Sequence, residues 1–330
     1  MLLTTQWRGH MSSRSILSIL LILFLITSVS ATYAGDRPLE MAYFTDEPVE
    51  FIFTTGNSTY SGSLGSGDEY TVAFPISLPP DAGIRYARVY LYWSWSRIGQ
   101  EAIYPEFSVT LSEPATHMKR YTDSKGFVAA NDYFSGMDIF EPPAIGYNDQ
   151  EIILHVMNNA EDDRTVVIIG GGLLIVYTST SSEPGMLWVM EGCDMLYATH
   201  GITPAMATSP IAFDGSVRTR DVTSATLSLV APSAGYTRTE IPEKNAVFVN
   251  RERGSNLPGF IESIISALFP GYNGKVWYDV FQADEINQIG IATRDVRQYL
   301  RSEGNRILVQ DNGDYFVLNN AFLDIRYGSG

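Results

Sequence analysis

The stretch that decides the fold reads Ala87-Arg-Val-Tyr-Leu-Tyr-Trp-Ser-Trp95. Its β-branched and aromatic residues are typical of a β-strand. Side chains alternate between the two faces of a strand, so one face carries Val89, Leu91, Trp93 and Trp95, and the other carries Tyr90 and Tyr92. Both faces are therefore apolar or aromatic. This pattern predicts either a central strand covered on both sides or a strand with one face against a partner.

Similar runs recur along the chain, separated by clusters of Gly, Pro, Asn and Asp such as 62–68 and 142–149. Short strands at even spacing with turn residues between them predict a sandwich or jelly roll. We therefore expect an all-β protein with two tandem antiparallel β-sandwich domains of the jelly-roll type. The predicted domains are residues 35–200 and 201–330.

The second predicted domain carries one short helical insertion, at 260–269, where apolar residues recur at helical spacing between two Pro-Gly pairs. A second short helix is predicted over Thr293–Ser302. The tripeptide Gly170-Gly-Gly172 lies between two apolar runs, which indicates a β-bulge or a tight kink in a strand rather than a phosphate-binding loop.

Residues 1–34 are predicted to be a signal peptide. Arg8 and Arg14 precede the apolar run Ile16–Val29, and small residues follow it. The run is shorter than the roughly 20 residues that a membrane-spanning helix needs. The alternative is an uncleaved anchor. We expect a secreted protein at the cell surface that does not span the membrane after cleavage.

Charge and cysteine content restrict the partners and the bonds of the protein. The chain has 22 Lys and Arg against 37 Asp and Glu, a net charge of −15 at pH 7. Such an acidic chain repels polyanions, so we expect no binding to nucleic acid. Cys193 is the one cysteine, which excludes a disulfide within the chain. Its thiol is predicted to be either buried and unpaired or bonded to another molecule.

Catalytic motifs are missing from the sequence, so we predict no catalytic residues and no enzyme. The histidines of the predicted mature chain, His117, His155 and His200, are far apart and match no zinc motif. No Gly-x-Ser-x-Gly nucleophile turn occurs. A glycosidase-type acid pair of Glu191 and Asp194, flanked by aromatic residues, is the weaker alternative.

Aromatic residues are the better candidates for a ligand site or an interface. Large aromatic rings supply contact area at interfaces and flat faces for sugar rings. Packing in the core is the alternative for the four that lie in the Ala87–Trp95 strand. The candidates are Tyr90, Tyr92, Trp93, Trp95 and Trp188.

Two polar stretches carry weaker predictions. Asp311, Asn312 and Asp314 offer the oxygen ligands that calcium prefers, although their spacing matches no EF-hand and a plain solvated turn is the alternative. Asn57 begins an Asn-Ser-Thr sequence in a loop rich in Gly and Ser, which makes it a candidate for N-glycosylation. We expect no cofactor apart from this calcium.

Three segments, Ala87–Trp95, Gly170–Tyr177 and Trp188–Asp194, together resemble a family of secreted β-rich proteins. The family is a domain of unknown function that is frequent in methanogenic archaea. The resemblance covers about residues 45–327. It implies a component of a surface layer, a sheath or an adhesion system, and it implies no catalytic residues.

These observations lead to one expected function and one alternative. We expect a non-enzymatic secreted protein of the cell envelope. It would be a structural component of a surface layer or sheath that associates laterally with itself or with other envelope proteins. Edge strands of the sandwiches would be the joints. The alternative is a secreted adhesion module that binds carbohydrate or another ligand, with glycans as partners.

Overall fold

The computed structural model describes residues 35–126, 133–199, 201–235, 242–251, 264 and 273–328. All of them belong to one compact unit that begins at Tyr33. The predicted signal peptide, residues 1–34, lies outside the described residues. So does the predicted helix 260–269, except for Ile264.

The described part of the chain is built from β-strands and contains one short 3₁₀ helix, Arg297–Tyr299. The first ten strands are β1 (Glu40–Thr45), β2 (Glu50–Thr54), β3 (Ser63–Leu64), β4 (Glu69–Pro75), β5 (Gly83–Ile98), β6 (Glu101–Ala102), β7 (Phe107–Leu111), β8 (Glu113–Pro114), β9 (Thr116–Asp123) and β10 (Phe134–Glu141). The others are β11 (Glu151–Asn158), β12 (Thr165–Thr178), β13 (Gly185–Leu196), β14 (Thr208–Phe213), β15 (Val222–Pro232), β16 (Asn245–Val249), β17 (Lys275–Tyr278), β18 (Ile289–Asp295), β19 (Asn305–Asp311) and β20 (Phe316–Tyr327). The predicted all-β class is confirmed.

The strands form four antiparallel sheets, which we number as layers. Layer 1 has the strand order β4-β11-β7-β8, and layer 2 has the order β2-β12-β5-β10-β9, with β3 and β6 at its margins. Layer 3 has the order β1-β13-β20-β15-β18, and layer 4 has the order β14-β19-β16-β17. The strand order within each layer mixes early and late strands, so most neighbours are joined by long connections.

The layers stack in the order 1-2-3-4, with an apolar core between each pair of neighbouring layers. Each core draws buried side chains from the facing sides of two neighbouring sheets. Representative pairs are Phe74 with Leu91 between layers 1 and 2, Leu174 with Phe322 between layers 2 and 3, and Leu323 with Val309 between layers 3 and 4. Layers 2 and 3 are therefore covered on both faces, whereas layers 1 and 4 each keep one outer face.

Strand β5 lies in the middle of layer 2, between β12 and β10. Leu91 and Trp93 face layer 1, and Tyr90 and Tyr92 face layer 3. The prediction of a central strand covered on both sides is confirmed. Trp95 differs from the predicted face, because it packs with the Tyr90 side. The pairing of β5 with both neighbours shifts register at this point, and Trp95 has a φ of 53°, so a β-bulge reverses the alternation.

Layers 1 and 2 form one sandwich, and layers 3 and 4 form a second. The chain passes from the first to the second at 179–184, between β12 and β13. The sequence placed β13 in a first domain of residues 35–200, but in the structure β13 pairs with β20 in layer 3. Strand β1, at the other end of that predicted domain, also lies in layer 3 beside β13. A domain boundary drawn from the sequence cannot show that β1 and β13 belong to the second sandwich, because the pairing of these strands is set by the tertiary structure.

Two local predictions have different outcomes. The helix predicted over Thr293–Ser302 is wrong in its first part, because β18 pairs with β15 as far as Asp295. The bulge predicted at Gly170-Gly-Gly172 is confirmed by a register shift between Ile168 and Gly170. A Cβ on Gly171 would lie 2.9 Å from the Phe74 ring, and one on Gly172 would lie 2.9 Å from the Tyr92 hydroxyl. A Cβ on Gly170 would lie 2.5 Å from Ile289 Cδ1 in layer 3. Glycine here therefore leaves room for side chains of layers 1 and 3 and for the Tyr92 hydroxyl of the neighbouring strand.

The replacement Gly136→Ala tests how tightly layer 2 is packed. A Cβ on Gly136 would lie 2.3 Å from the Trp93 ring and 2.7 Å from the backbone oxygen of Tyr121. We expect the replacement to lower the free energy of unfolding by about 1–3 kcal/mol, the usual cost of overpacking a core. Urea denaturation measures the change.

The matched control is Gly146→Ala, where the nearest neighbour of a new Cβ is Asp149 Oδ2 at 3.8 Å. We expect it to change the free energy of unfolding by less than about 0.5 kcal/mol. Equal effects of the two replacements would contradict the packing described for layer 2.

Candidate functional site

The aromatic residues singled out in the sequence lie mainly in the cores. Tyr90, Tyr92, Trp93 and Trp188 are each at most 1% exposed. Trp95 is half-buried, and its indole N–H donates to the Tyr315 hydroxyl at 3.2 Å. Buried rings present no face to a ligand, so core packing is the role that the structure gives to the four buried residues.

The tyrosine hydroxyls of β5 nevertheless reach polar groups in layer 3. Tyr90 donates a hydrogen bond of 2.8 Å to Glu191 Oε1, and Tyr86 donates one of 3.1 Å to the same oxygen. Tyr92 donates one of 2.7 Å to Asn320 Oδ1. Because buried polar groups are costly unless paired, these bonds also fix how layers 2 and 3 align.

A cleft opens where the edge strands of layers 2 and 3, β9 and β1, lie side by side. We name it the seam cleft. Its first part has a volume of about 270 Å³ and its second part about 350 Å³. The residues that line the first part include Glu40, Tyr86, Arg88, Met118, Lys119, Tyr121 and Glu191. The second part shares Glu40 and Tyr121 and continues to Asp36, Arg37, Arg120 and Cys193.

Two carboxyl groups lie side by side in the first part of the seam cleft, on the wall that layer 3 forms. Glu40 on β1 and Glu191 on β13 are directly opposite in the antiparallel pairing, so their side chains lie on the same face of the sheet. Glu40 is bound by Lys119 at 2.7 Å and by the Tyr121 hydroxyl at 3.2 Å. The hydrogen bond from Lys119 lowers the pKa of Glu40.

Glu191 has a different environment from Glu40, because it is 3% exposed. Burial raises the pKa of Glu191 above its ordinary value, although the hydrogen bonds from Tyr90 and Tyr86 act against this. Tyr86 in turn stacks on Tyr43, with ring centroids 4.6 Å apart, and the Arg88 guanidinium lies 4.1 Å from the Tyr86 ring centre. The cleft thus combines a fixed acceptor, charged donors and aromatic rings.

Strand β9 supplies a second polar cluster through its period-two alternation. Lys119 and Tyr121 bind Glu40, and Asp123 accepts a 2.7 Å hydrogen bond from the backbone N–H of Met195 on β13. Lys125 follows on the same side of the chain. Every second residue from 119 to 125 therefore contacts layer 3 or Asp36, which precedes β1.

Lys125 lies among three carboxyl groups, which we name the Lys125 cluster. Its Nζ lies 2.5 Å from Asp123 Oδ2 and 3.2 Å from Asp194 Oδ1, and it also bonds Asp36. One oxygen of each carboxyl lies within 4.8 Å of the others, a spacing that would also suit a metal ion. The ammonium group already supplies positive charge at this point. Burial raises the pKa of Asp194 to about 7.

Cys193 lies on β13 between Glu191 of the seam cleft and Asp194 of the Lys125 cluster. Its thiol is buried and donates to the backbone oxygen of Ser135 at 3.5 Å. Burial raises the pKa of Cys193 well above its ordinary value, so the reactive thiolate is disfavoured. Of the two states predicted from the sequence, the geometry matches the buried and unpaired thiol.

The two acids proposed as a glycosidase-type pair, Glu191 and Asp194, have separate partners. Glu191 bonds the tyrosine hydroxyls and Asp194 bonds Lys125. The pairing of β13 with β20 shifts register between them. The structure instead sets Glu191 opposite Glu40, a residue that the sequence reasoning missed.

The calcium candidates lie at the turn between β19 and β20. Asp311 accepts hydrogen bonds from the backbone N–H groups of Ala198, Gly313, Asp314 and Tyr315. Burial raises the pKa of Asp311 to about 6. These carboxylate oxygens therefore hold the turn together. Calcium binding by Asp311, Asn312 and Asp314 stays a prediction.

Asn57, the glycosylation candidate, is exposed in the turn after β2. Its Oδ1 accepts a hydrogen bond of 2.8 Å from the backbone N–H of Ala73. Exposure agrees with access by a modifying enzyme, and the modification itself stays a prediction.

The fold and the seam cleft define an all-β protein of four stacked sheets with a polar, aromatic cleft between the inner two. The chain belongs to the family described as "Protein of unknown function (DUF3344)", whose model matches residues 32–326. The resemblance to a domain of unknown function is thereby confirmed. The archaeal origin and the cell-surface role that it implied stay predictions.

Comparison with other proteins adds little. None of the curated proteins matches the chain. Among solved structures, N-glycanase F (PNGase F) is 9% identical, with a TM-score of 0.22, over 86% of this chain and 97% of that one. The major capsid protein P2 of bacteriophage PM2 is 10% identical, with a TM-score of 0.19, over 86% of this chain and 99% of that one. Neither likeness carries weight for the function.

In the described part of the chain, no helix combines the length and the apolar character required to cross a bilayer. The predicted apolar segment before residue 35 is not part of that finding.

The pH dependence of stability tests the environment of Glu191. Its folded-state pKa is raised, so its contribution to stability is fully present below about pH 4.5 and is lost as the pH rises through the folded pKa. We expect the free energy of unfolding of the native protein, minus that of Glu191→Gln, to fall as the pH rises above about 4.5. Urea denaturation at several pH values measures this difference. A difference that rises with pH would contradict the burial described for Glu191.

Proposed function

We propose that the protein is a non-enzymatic, extracellular binding protein that holds a neutral saccharide or a similar polyhydroxy ligand in the seam cleft. The observation that carries the proposal is the set of side chains brought together there from both inner layers. Glu191 offers a fixed hydrogen-bond acceptor, and Lys119 and Arg88 offer donors. The Tyr121 hydroxyl donates its proton to Glu40, so it offers a ligand a second acceptor.

The chemistry of the lining favours a neutral ligand. The lining contains two carboxyl groups, Glu40 and Glu191, and two basic side chains, Lys119 and Arg88, so neither sign of charge dominates. Hydroxyl groups of a sugar both donate and accept, which suits such a mixed lining. The Tyr86 ring and the exposed Met118 add apolar surface for the C–H faces of a sugar ring. The cleft volumes approach the lower end of small-molecule sites, about 300 Å³.

The extracellular part of the proposal rests on sequence observations. The predicted leader of residues 1–34, the acidic composition and the single buried cysteine agree with a protein that works outside the cell. Fractionation of the native cells, with N-terminal sequencing of the protein recovered outside them, tests this part separately from ligand binding.

Calorimetric titration with a panel of neutral oligosaccharides tests the binding function. We expect at least one of them to bind the native protein and to bind Tyr121→Phe about five- to tenfold more weakly. The replacement removes one hydrogen bond, which contributes about 1 kcal/mol. The matched control is Tyr278→Phe, because Tyr278 is an exposed tyrosine on β17 in layer 4.

Two results would count against the proposal. One is the absence of heat with every saccharide in the panel. The other is an equal loss of binding in Tyr121→Phe and Tyr278→Phe, which would place the ligand elsewhere on the protein.

Lateral association into a surface layer or sheath is the second candidate function, and the edge strands favour it. Four of them carry exposed large apolar side chains, namely Met41 and Phe44 on β1, Met118 on β9, Tyr278 on β17 and Ile291 on β18. Exposed edges with apolar side chains pair readily with strands of another molecule. The partner in this case is another copy of the protein or a second envelope protein.

Negative-stain electron microscopy, with and without millimolar calcium, tests the association. We expect ordered sheets or tubes for the native protein and their loss in Phe44→Lys, because a charge on an edge strand opposes pairing. The control is Ile153→Lys, which adds the same charge at an exposed site on β11, an inner strand of layer 1. Single particles of the native protein under both conditions would exclude unaided assembly.

A further inference from the structure

We propose that Lys125 and Asp194 form a covalent amide cross-link between their side chains, which joins the end of β9 to β13. Three observations on the Lys125 cluster carry the inference: the distances, the exclusion of water, and a buried oxygen of the acceptor carboxyl that has no hydrogen bond of ordinary geometry.

The distances place the amine of Lys125 in contact with a carboxyl group. Lys125 Nζ lies 3.2 Å from Asp194 Oδ1, so the carboxyl carbon is also close to the nitrogen. Groups held at this separation react as if at very high local concentration, with effective molarities of about 10⁵–10⁸ M in well-oriented cases. The residues are 69 positions apart in sequence and belong to different layers.

The cluster is closed to solvent on the side where the bond would form. The side chain of Lys125 is 2% exposed and that of Asp194 is 0% exposed. The exclusion of bulk water from this point limits hydrolysis of the amide once it has formed. A charged pair so deeply buried is also costly, which favours its conversion into neutral groups.

Asp194 is the acceptor that the surroundings select from the three carboxyl groups. Among the described residues, its buried Oδ2 has no hydrogen bond of ordinary geometry, although the Ser209 side chain acts as a hydrogen-bond partner that lowers the pKa of Asp194. Burial raises the pKa of Asp194 to about 7, so a neutral carboxyl group is accessible near neutral pH. Asp36 differs because it is partly exposed.

Asp123 has the position of the proton acceptor. Its Oδ2 lies 2.5 Å from Lys125 Nζ, and its two oxygens also accept the backbone N–H groups of Met195 and Ser124. These bonds hold the carboxylate in place beside the amine. An amide between Asp123 and Lys125 would close only a small ring, because two positions separate them. Asp123 is therefore a positioning and proton-transfer residue.

The step balances without an outside reactant. The Lys125 ammonium gives a proton to the Asp123 carboxylate, and the neutral amine adds its lone pair to the carboxyl carbon of the protonated Asp194. The C–N bond forms, one amine proton passes to the departing hydroxyl group, and the C–O bond breaks. One water leaves, the amide keeps one N–H, and Asp123 retains the transferred proton.

Intact mass spectrometry of the purified protein tests the inference. We expect a mass lower by about 18 Da, one water, than the mass calculated from the measured N-terminus onwards. Peptide mapping should yield a branched peptide that contains Lys125 and Asp194, with no tryptic cleavage after Lys125. Lys125→Arg keeps the positive charge and should give the full calculated mass. Asp123→Asn should give mainly uncross-linked protein.

The matched control is Lys119→Arg, which changes a half-exposed lysine on the same strand. It should keep both the lower mass and the branched peptide. The full calculated mass in the folded native protein would overturn the inference. So would a loss of about 18 Da that maps to a cyclised Asp214-Gly215 pair, or that persists in Lys125→Arg. The test does not depend on ligand binding, so a failure of the cross-link would leave the proposed function unaffected.

Discussion

Two inner sheets covered on both faces are the constraint on which the rest of the structure depends. A sheet in layer 2 or layer 3 must present apolar side chains above and below, so its strands cannot alternate apolar with polar residues. In β13, all twelve residues are buried. The sequence meets this demand with aromatic and aliphatic side chains on both faces of β5, β12, β13 and β20. The outer sheets need only one apolar face, and β4 and β11 alternate accordingly.

The same constraint creates the polar sites. Side chains between layers 2 and 3 leave water, so a polar atom there is costly unless it has a hydrogen-bond partner. Tyr90 and Tyr86 find theirs in Glu191, and Tyr92 finds its own in Asn320. At the edge of layers 2 and 3, where β9 lies beside β1, the space between the sheets is open to solvent. Charged residues replace apolar ones there, and the seam cleft and the Lys125 cluster are the result.

The sequence was sufficient for the fold class and for the central strand, because both follow from local composition and period-two alternation. Trp95 was assigned to the wrong face, since a bulge is set by the pairing with β10 and β12 rather than by the residues of β5. The boundary at 200/201 fell after β13, because the partners of β13 are β1 and β20, which lie far away in the sequence.

The candidate site was harder to predict for the same reason. The aromatic residues of β5 stand out in composition, yet most of them serve the core. Glu40, Lys119 and Tyr121 are ordinary surface residues in the sequence and become a site only through the register of β1 with β13 and the approach of β9. A usable signal was present in the alternation of Lys119, Tyr121, Asp123 and Lys125 along one side of β9. Its meaning depends on the sheet that this side faces.

Hydrogen exchange of the backbone amides, followed by mass spectrometry at increasing denaturant, tests most directly whether the two inner sheets form one shared core. The account predicts that β12 in layer 2 and β20 in layer 3 lose protection together, at one opening free energy, because each sheet covers the other. Loss of protection in two separate steps, one for each sandwich, would contradict the account. It would mean that the core between layers 2 and 3 contributes little to stability.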